Sequence, residues 1–434
     1  RFSPLGGQEY NLIWPFTRMP LGYFILNAVE LAAVLLIFSW LMRQYVSERI
    51  FMYVAGLLLL LTPGFTLAFF KLLFVEKGLV LLLSGFLALY ISAQRHGNVT
   101  LAGLALLVAN LAIYYKETGF VAVGGLAAAH LLLVWRSATS RQRVLDMLLI
   151  LSAATYLAIY LFYIVPYRGE FTYDTNFIEN KAFVFAKNAV NYALFSDPIP
   201  ILLLLPLALW RAYIIFVRRE AAHPVLDPMI VAGVGYVVVF LVLNMYSPYY
   251  FLPVYVFALP PFFHFFSKGQ LQGAGWKALY AAVALVMLVN AVPLALHYLS
   301  YNKYLPVNFN RTLDFLVSDI ERRSENRRIR IFFDGVDRDG GRGVYFIVGE
   351  YLKHKGLSIR RFDLASDALA EGRAPFISRP SPFDRPEDLA AVDSAHGYRN
   401  PQFPFAVFQP GSAAQMQPGD YLIVSPHSTT FSLS

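Results

Sequence analysis

Glu76, Lys77, Lys116 and Glu117 are charged residues set in long apolar runs, in "FVEKGLVLLL" and "IYYKETGFVAV". Ionisable groups at membrane depth are costly and mostly face cavities or partners, so each needs a physical reason. A carboxylate in such a place can take the proton of an acceptor hydroxyl, and an ammonium can stabilise a departing phosphate. Lysine at the bilayer boundary also suits a lipid phosphate, because the headgroup lies at that depth. The competing reading is mechanical: the lysines snorkel to headgroups and the glutamates neutralise them. Helical neighbours point about 100° apart, so Lys116 and Glu117 need not pair with each other. Lys116 can face a phosphate while Glu117 braces another group, for instance in the turn holding Lys71, Glu76 and Lys77. A third acid, Glu30 in "LNAVELAAV", lies mid-run beside Asn27 and is expected to face a bundle interior.

These residues need helices to hold them. The chain has 434 residues, 57% hydrophobic and 15% charged, against about 25% charged in soluble chains. Charge is nearly absent from long runs between Leu21 and Leu299 and returns after Asn310. The fold class is therefore mainly α: a polytopic transmembrane bundle over 1–305, followed by a small soluble α/β domain over 306–434. A crossing helix needs about 20 mostly apolar residues. Ten stretches qualify: Leu21–Met42, Ile50–Phe70, Gly78–Ser92, Thr100–Tyr115, Phe120–Trp135, Leu145–Val165, Ile199–Val217, Met229–Tyr246, Phe251–Phe266 and Leu279–Leu299. With Arg43 and Arg49 inside, alternation puts Arg95, Arg136, Arg141, Arg143, Arg218, Arg219, Lys268 and Lys277 on the same cytoplasmic side. Arg1, Lys116, Glu117 and everything after Leu299 then lie outside. Cysteine is absent, which excludes disulfides and thiolate metal sites.

The outer loop from Tyr167 to Pro200 carries helical spacing over Ile178–Leu194, which fits either an interfacial amphipathic helix or an ordinary packed loop helix. In the tail, "RTLDFLVSDIERRSE" and "GVYFIVGEYLKHKG" read as helices, the second stopped by Gly356. "RIRIFFDG", "LSIRRFDL" and "DYLIVSPH" read as strands, with a Pro-, Ser- and Ala-rich region over Ala365–Pro418. The glycine-rich "DGVDRDGGRG", Asp334–Gly343, matches no phosphate-binding fingerprint and reads as a solvated loop. His130 in "AAAHLLL" reads as a helix-contact hydrogen bonder. No metal-ligand set has recognisable spacing, although outer acids such as Glu76 suit a divalent cation.

Four short segments together resemble the GT-C glycosyltransferases, which include protein O-mannosyltransferases and bacterial aminoarabinose transferases. "YYKETGFVAVGG" is similar to the family's Lys-Glu-Thr/Gln motif at the outer end of a span. "TPGFTLAFFKLLFVEKGLVLLL" is similar to the segment where an acid opens a span after a short outer loop. "RFSPLGGQEYNLI" resembles the end of the first outer loop, and "SPYYFLPVYVF" the late aromatic pair before Leu-Pro. The resemblance implies a membrane enzyme of the bacterial inner membrane, with its active site and C-terminal domain extracytoplasmic. It further implies a polyprenyl-phosphate sugar donor, a glycan, lipid or protein acceptor, contact with membrane lipids, and no nucleic acid. Catalytic candidates are Glu76, Glu117 and Glu9. Donor-binding candidates are Lys116, Lys71, Arg1, Tyr249 and Tyr250. The family's acidic pair in the first outer loop has no counterpart here, so the true base is expected upstream of Arg1. The alternative is a non-catalytic polytopic protein, a transporter or a subunit of a larger assembly. A transporter would be expected to show internal repeats, and none is visible.

Overall fold

Apolar segments with no water to bond must close their backbone hydrogen bonds internally, and they do so as helices. The computed structural model describes residues 3–17, 19–71, 74–167, 181–243, 245–323, 329–334, 348–349, 351–358, 361–366 and 418–424. The described chain is mostly helical. Its helices are α1 (Glu9–Ile13), α2 (Pro20–Arg43), α3 (Arg49–Leu60), α4 (Pro63–Phe70), α5 (Glu76–His96), α6 (Val99–Tyr115), α7 (Gly119–Val134), α8 (Ser140–Ile159), α9 (Lys181–Asn191), α10 (Leu205–Ala212), α11 (Leu226–Val242), α12 (Val254–Ser267), α13 (Ala274–Val286) and α14 (Val292–Arg323). Side-chain caps set several boundaries. Asn98 accepts from the Thr100 and Leu101 amides, and Thr139 with Gln142 closes a capping box on α8. Gly97, at φ +61°, ends α5 in the left-handed region that favours glycine.

The polarity of α2 is inverted relative to a helix in water. Leu21, Phe24, Ile25, Val29 and Leu36 are exposed, whereas Asn27 and Glu30 are buried. Among the described residues, five helices are long and apolar enough to cross a membrane: Leu21–Arg43, Glu76–His96, Ser140–Ile164, Ile199–Val217 and Ala274–Arg323. Together these features mark the chain as a membrane protein.

The expected run of ten full spans needs correction. Ile50–Phe70 is not one helix: α3 and α4 break between Leu60 and Pro63 with a bend of 65°. Pro63 lacks the amide that would continue the ladder, and Thr62 instead caps α4 by accepting from the Phe65 amide at 3.2 Å. α6, α7, α11 and α12 are apolar but short. The 17 residues of α6 reach about 25 Å at about 1.5 Å per residue, less than the roughly 30 Å of bilayer hydrocarbon. Protein rather than lipid surrounds α12, where Val254 through Phe263 are all buried. Burial by neighbours removes the need to match bilayer thickness.

Two compact units divide the chain at Asn302, slightly before the expected boundary at 305. The second, Lys303–Ser434, has a parallel three-stranded sheet in the order β2 (Phe362–Ser366), β1 (Ile329–Asp334), β3 (Tyr421–Val424). Ile329 pairs with Phe362 and Ile331 with Tyr421. Leu313, Leu316 and Ile320 of α14 share a core with Ile329, Ile331 and Leu352. Arg330 bonds Asp420 at 2.7 Å, and Gly356, at φ +94°, follows the helical turn at 351–354. Arg1, Arg168, most of Asp334–Gly343 and most of Ala365–Pro418 lie outside the described residues.

α6 and α7 form an antiparallel hairpin closed by Lys116, Glu117 and Thr118. The Gly119 amide bonds the Lys116 carbonyl at 2.8 Å, and a Cβ on Gly119 would lie 2.4 Å from the Ala112 carbonyl oxygen. That neighbour is backbone and cannot swing away. Gly119→Ala should therefore destabilise the bundle by at least the roughly 1–3 kcal/mol of an overpacked core. A thermal melt of the purified protein in detergent checks this, with Gly56→Ala, which meets open space, as the control.

Candidate functional site

The N-terminus of α5 delivers two adjacent charges into the bundle. Glu76 is 2% exposed and Lys77 fully buried. Their side chains go to different partners because consecutive helical positions diverge. Lys77 Nζ donates to Asn27 Oδ1 at 2.8 Å and lies 3.3 Å from Glu30 Oε2, both on α2. The Asn27 amide in turn donates to the Phe69 carbonyl at the end of α4. Glu76 pairs instead with Lys116, itself 3% exposed, from the α6–α7 turn. Each lysine also faces an aromatic ring, Lys77 that of Tyr10 and Lys116 that of Tyr250, both at 5.0 Å. The expected inward aim of Glu30 is what the geometry shows.

The turn separates Lys116 from Glu117, whose Oε2 accepts from Ser3 Oγ at 2.7 Å. Two further contacts bind the N-terminal segment to the same hairpin. The Leu5 amide bonds the Tyr114 carbonyl at 3.2 Å, and Tyr115 Oη donates to Glu9 Oε1 at 2.7 Å. A Cβ on Gly78 would come within 2.2 Å of that Tyr115 oxygen, so glycine is what lets the phenol reach Glu9. Burial, aided by the carboxylates of Glu9 and Glu30, raises the Tyr10 phenol well above its ordinary value and keeps it neutral.

Opposite the hairpin stands an aromatic wall. Pro248 opens a short 3-10 turn carrying Tyr249 and Tyr250. It lies so close to α4 that a Cβ on Gly64 would sit 2.4 Å from the Pro248 carbonyl oxygen. Tyr249 packs on Phe74 at 4.3 Å. Lys71, half-buried, holds its ammonium 5.8 Å from the Phe74 ring and 5.7 Å from the Tyr301 ring. Thr118 and Tyr236 share a hydrogen bond at 3.0 Å beneath the hairpin.

Glu9, Glu76, Glu117, Lys116, Lys71, Tyr249 and Tyr250 thus all lie on segments that meet at one end of the bundle. Arg1 falls outside the described residues. Among the described residues, no group of three or more His, Asp or Glu is placed to hold a metal ion. Lys77 and Asn27 were visible in the sequence but without a role of their own, and nothing there singled out Ser3 or Tyr115. A second buried polar set also escaped the sequence reading: Asp146 Oδ1 accepts from Tyr90 at 2.7 Å, and Asp146 Oδ2 meets His130 Nδ1 at 2.5 Å. His130 is a helix-contact hydrogen bonder, as expected. The signal available was Asp146 in "VLDMLLI", a lone acid in an apolar run. The chain matches no protein-family model, no curated protein and no solved structure.

Removing one partner of a buried pair leaves an uncompensated charge, at a cost of about 3–5 kcal/mol, whereas replacing both can be neutral. Lys77→Met should lower the melting temperature sharply, and adding Glu30→Met should restore much of the loss. Equal melting of Lys77→Met and parent would show that this pair does not hold α2 to α5.

Proposed function

We propose that the chain is an integral-membrane glycosyltransferase of the GT-C kind, moving a sugar from a polyprenyl-phosphate donor to a glycan, lipid or protein acceptor. The observation that carries this reading is the gathering, at one end of an apolar bundle, of Lys71, Lys116, Glu9, Glu76 and Glu117 against the Tyr249–Tyr250 wall. In the reaction, the acceptor oxygen bonds the anomeric carbon as the bond from that carbon to the phosphate oxygen breaks. The acceptor proton goes to a carboxylate, and the phosphate leaves carrying the bonding pair.

Roles follow from exposure and pairing. Lys71 is half-buried with its ammonium over the Phe74 and Tyr301 rings, and it is the cation we assign to the donor phosphate. Lys116 is sealed by Glu76 and Tyr250, and its part is to add positive field at the leaving oxygen. Glu76 holds Lys116 in place rather than taking a proton. Glu9 and Glu117, both half-buried, are the carboxylates nearer the acceptor side. The basic loops at the other end support placing this end away from the cytoplasm. The site for any divalent cation would involve Glu9 or Glu117 together with donor phosphate.

A non-catalytic role is favoured by one observation: Lys116 and Glu76 satisfy each other, as do Lys77 and Glu30, which is what a structural clamp requires. The two readings part on turnover. In nanodiscs supplied with a polyprenyl-phosphate sugar donor, Lys71→Ala and Lys116→Ala should each slow transfer by at least tenfold. Loss of one preorganised electrostatic contact typically costs about 10²–10³. Lys71→Arg should rescue in part, because the charge remains but its shape changes. Parental rates in both alanine variants would leave the clamp as the better account.

The orientation has its own check. Reporter fusions after Arg143 and after Lys303 are expected to lie in opposite compartments, the first cytoplasmic. Matching reports would overturn the sidedness and move the site to the other face.

A further inference from the structure

At the far end of α5 from Glu76, on the order of 30 Å away at about 1.5 Å per residue, two cavities share a wall. The first encloses about 550 Å³ and is lined by Tyr45, Gln94, Arg95, His130, His223 and His264 among others. The second, about 400 Å³, is an apolar groove passing Val99, Ala102, Gly103 and Leu106 of α6 and Val144 and Leu148 of α8. Gln94 and Gln142 line both, and the Gln142 amide donates to the Gln94 carbonyl at 3.1 Å.

The polar cavity is lined by buried polar groups. Tyr45 Oη and both side-chain polar atoms of Gln94 are buried, with Tyr45 beside Arg95 and Gln94 beside Tyr90. His130, 2% exposed, is locked through Nδ1 by Asp146. His223 Nδ1 accepts from the Val225 and Leu226 amides at 3.3 and 3.0 Å, so its remaining nitrogen is the donor. Burial first, then the neighbouring His264, pushes the His223 pKa down to about 4, so it donates as a neutral ring. Charge in the lining is one-sided: Arg95 is present and no described lining residue is a carboxylate. Arg95 stands at the mouth, over the Tyr45 ring at 5.4 Å and bonded to Gln44.

The groove supplies the second half of the evidence. It lies among lipid-facing helices, and a Cβ on Gly103 would meet open space. Arg141, at its rim, donates to the Gly97 carbonyl at 3.1 Å and adds a second cation. A polar chamber alone would take any small anion, and a groove alone any alkyl chain. Side by side, with a shared wall, they fit a ligand that is anionic at one end and hydrocarbon at the other.

We infer that this end of the bundle binds a phosphate-bearing lipid, headgroup in the polar cavity under Arg95 and one acyl chain in the groove past Gly103. The site is independent of glycosyl transfer, since its residues lie at the opposite end of α5 from Glu76. Its size falls within the ~300–1,000 Å³ typical of small-molecule sites.

Binding to the purified full chain in detergent tests it, read by native mass spectrometry and by thermal shift. Three probes are used: dioctanoyl phosphatidic acid, dioctanoyl phosphatidylcholine and glycerol 3-phosphate. Phosphatidic acid should bind one-to-one and at least tenfold tighter than either of the others. Gly103→Leu, which fills the groove, should weaken phosphatidic acid at least tenfold and leave glycerol 3-phosphate unchanged. Arg95→Gln should weaken both. Glycerol 3-phosphate binding as tightly as phosphatidic acid would reduce the site to one for a free anion and overturn the lipid assignment. Equal binding of the two lipids would overturn the phosphate selectivity, and parental binding by both variants would overturn the location. The probe comparison on the parent protein stands even if a variant fails to fold.

Discussion

A lysine with no exposed surface, inside a bundle whose outer face is hydrocarbon, is the constraint around which the first unit is arranged. Lys77 loses its water entirely. Desolvating an ion costs several kcal/mol even after relaxation, and only close, well-bonded partners offset it. Asn27 and Glu30 do so from α2, and they are buried for the same reason. α2 can therefore take one rotation about its axis, with its polar stripe on α5 and Leu21, Ile25 and Leu36 on the exposed face. One residue earlier on α5 the logic repeats: Glu76 requires Lys116, and that requirement fixes the α6–α7 hairpin against the start of α5.

Close backbone approach is what makes these pairs reachable. Gly78 admits the Tyr115 ring, Gly119 admits the Ala112 carbonyl, and Gly64 admits the Pro248 carbonyl. In membranes, small residues at helix contacts gain van der Waals packing where no hydrophobic force drives helices together. Three glycines at one end therefore bring α4, α5, the α6–α7 hairpin and the Tyr249–Tyr250 turn to a common point. The N-terminal segment closes over it through Ser3, Leu5 and Glu9. Glu76 with Lys116, and Lys77 with Asn27 and Glu30, form close pairs at this end, whereas the far end of α5 opens into a polar cavity beside an apolar groove.

Hydropathy alone made the helices and their approximate limits legible, because any long apolar run in lipid must be helical. The bend at Pro63 was not anticipated: Ile50–Phe70 read as one span, because apolar composition outweighed the single proline in "LLTPGF". The charged positions were visible as exceptions to the apolar rule, and so Glu30, Glu76, Lys116 and Glu117 could be singled out. Asp146 was an exception of the same kind, passed over because a single acid can also sit at a helix end. In the second unit, the alternation of "RIRIFF" and the glycine after "YLKHK" marked β1 and the stop at Gly356.

The pairing of charges was decided only in three dimensions. Lys116 and Glu117 are neighbours in the chain, yet one turns to Glu76 and the other to Ser3. Lys77 and Glu76 are neighbours as well, and they serve different helices. Sequence determined that these charges exist at the ends and edges of apolar helices, since that is a property of residue order and hydropathy. Which carboxylate meets which ammonium depends on helix rotation and on glycine-permitted contact distances, and both are set by packing among segments far apart in the chain.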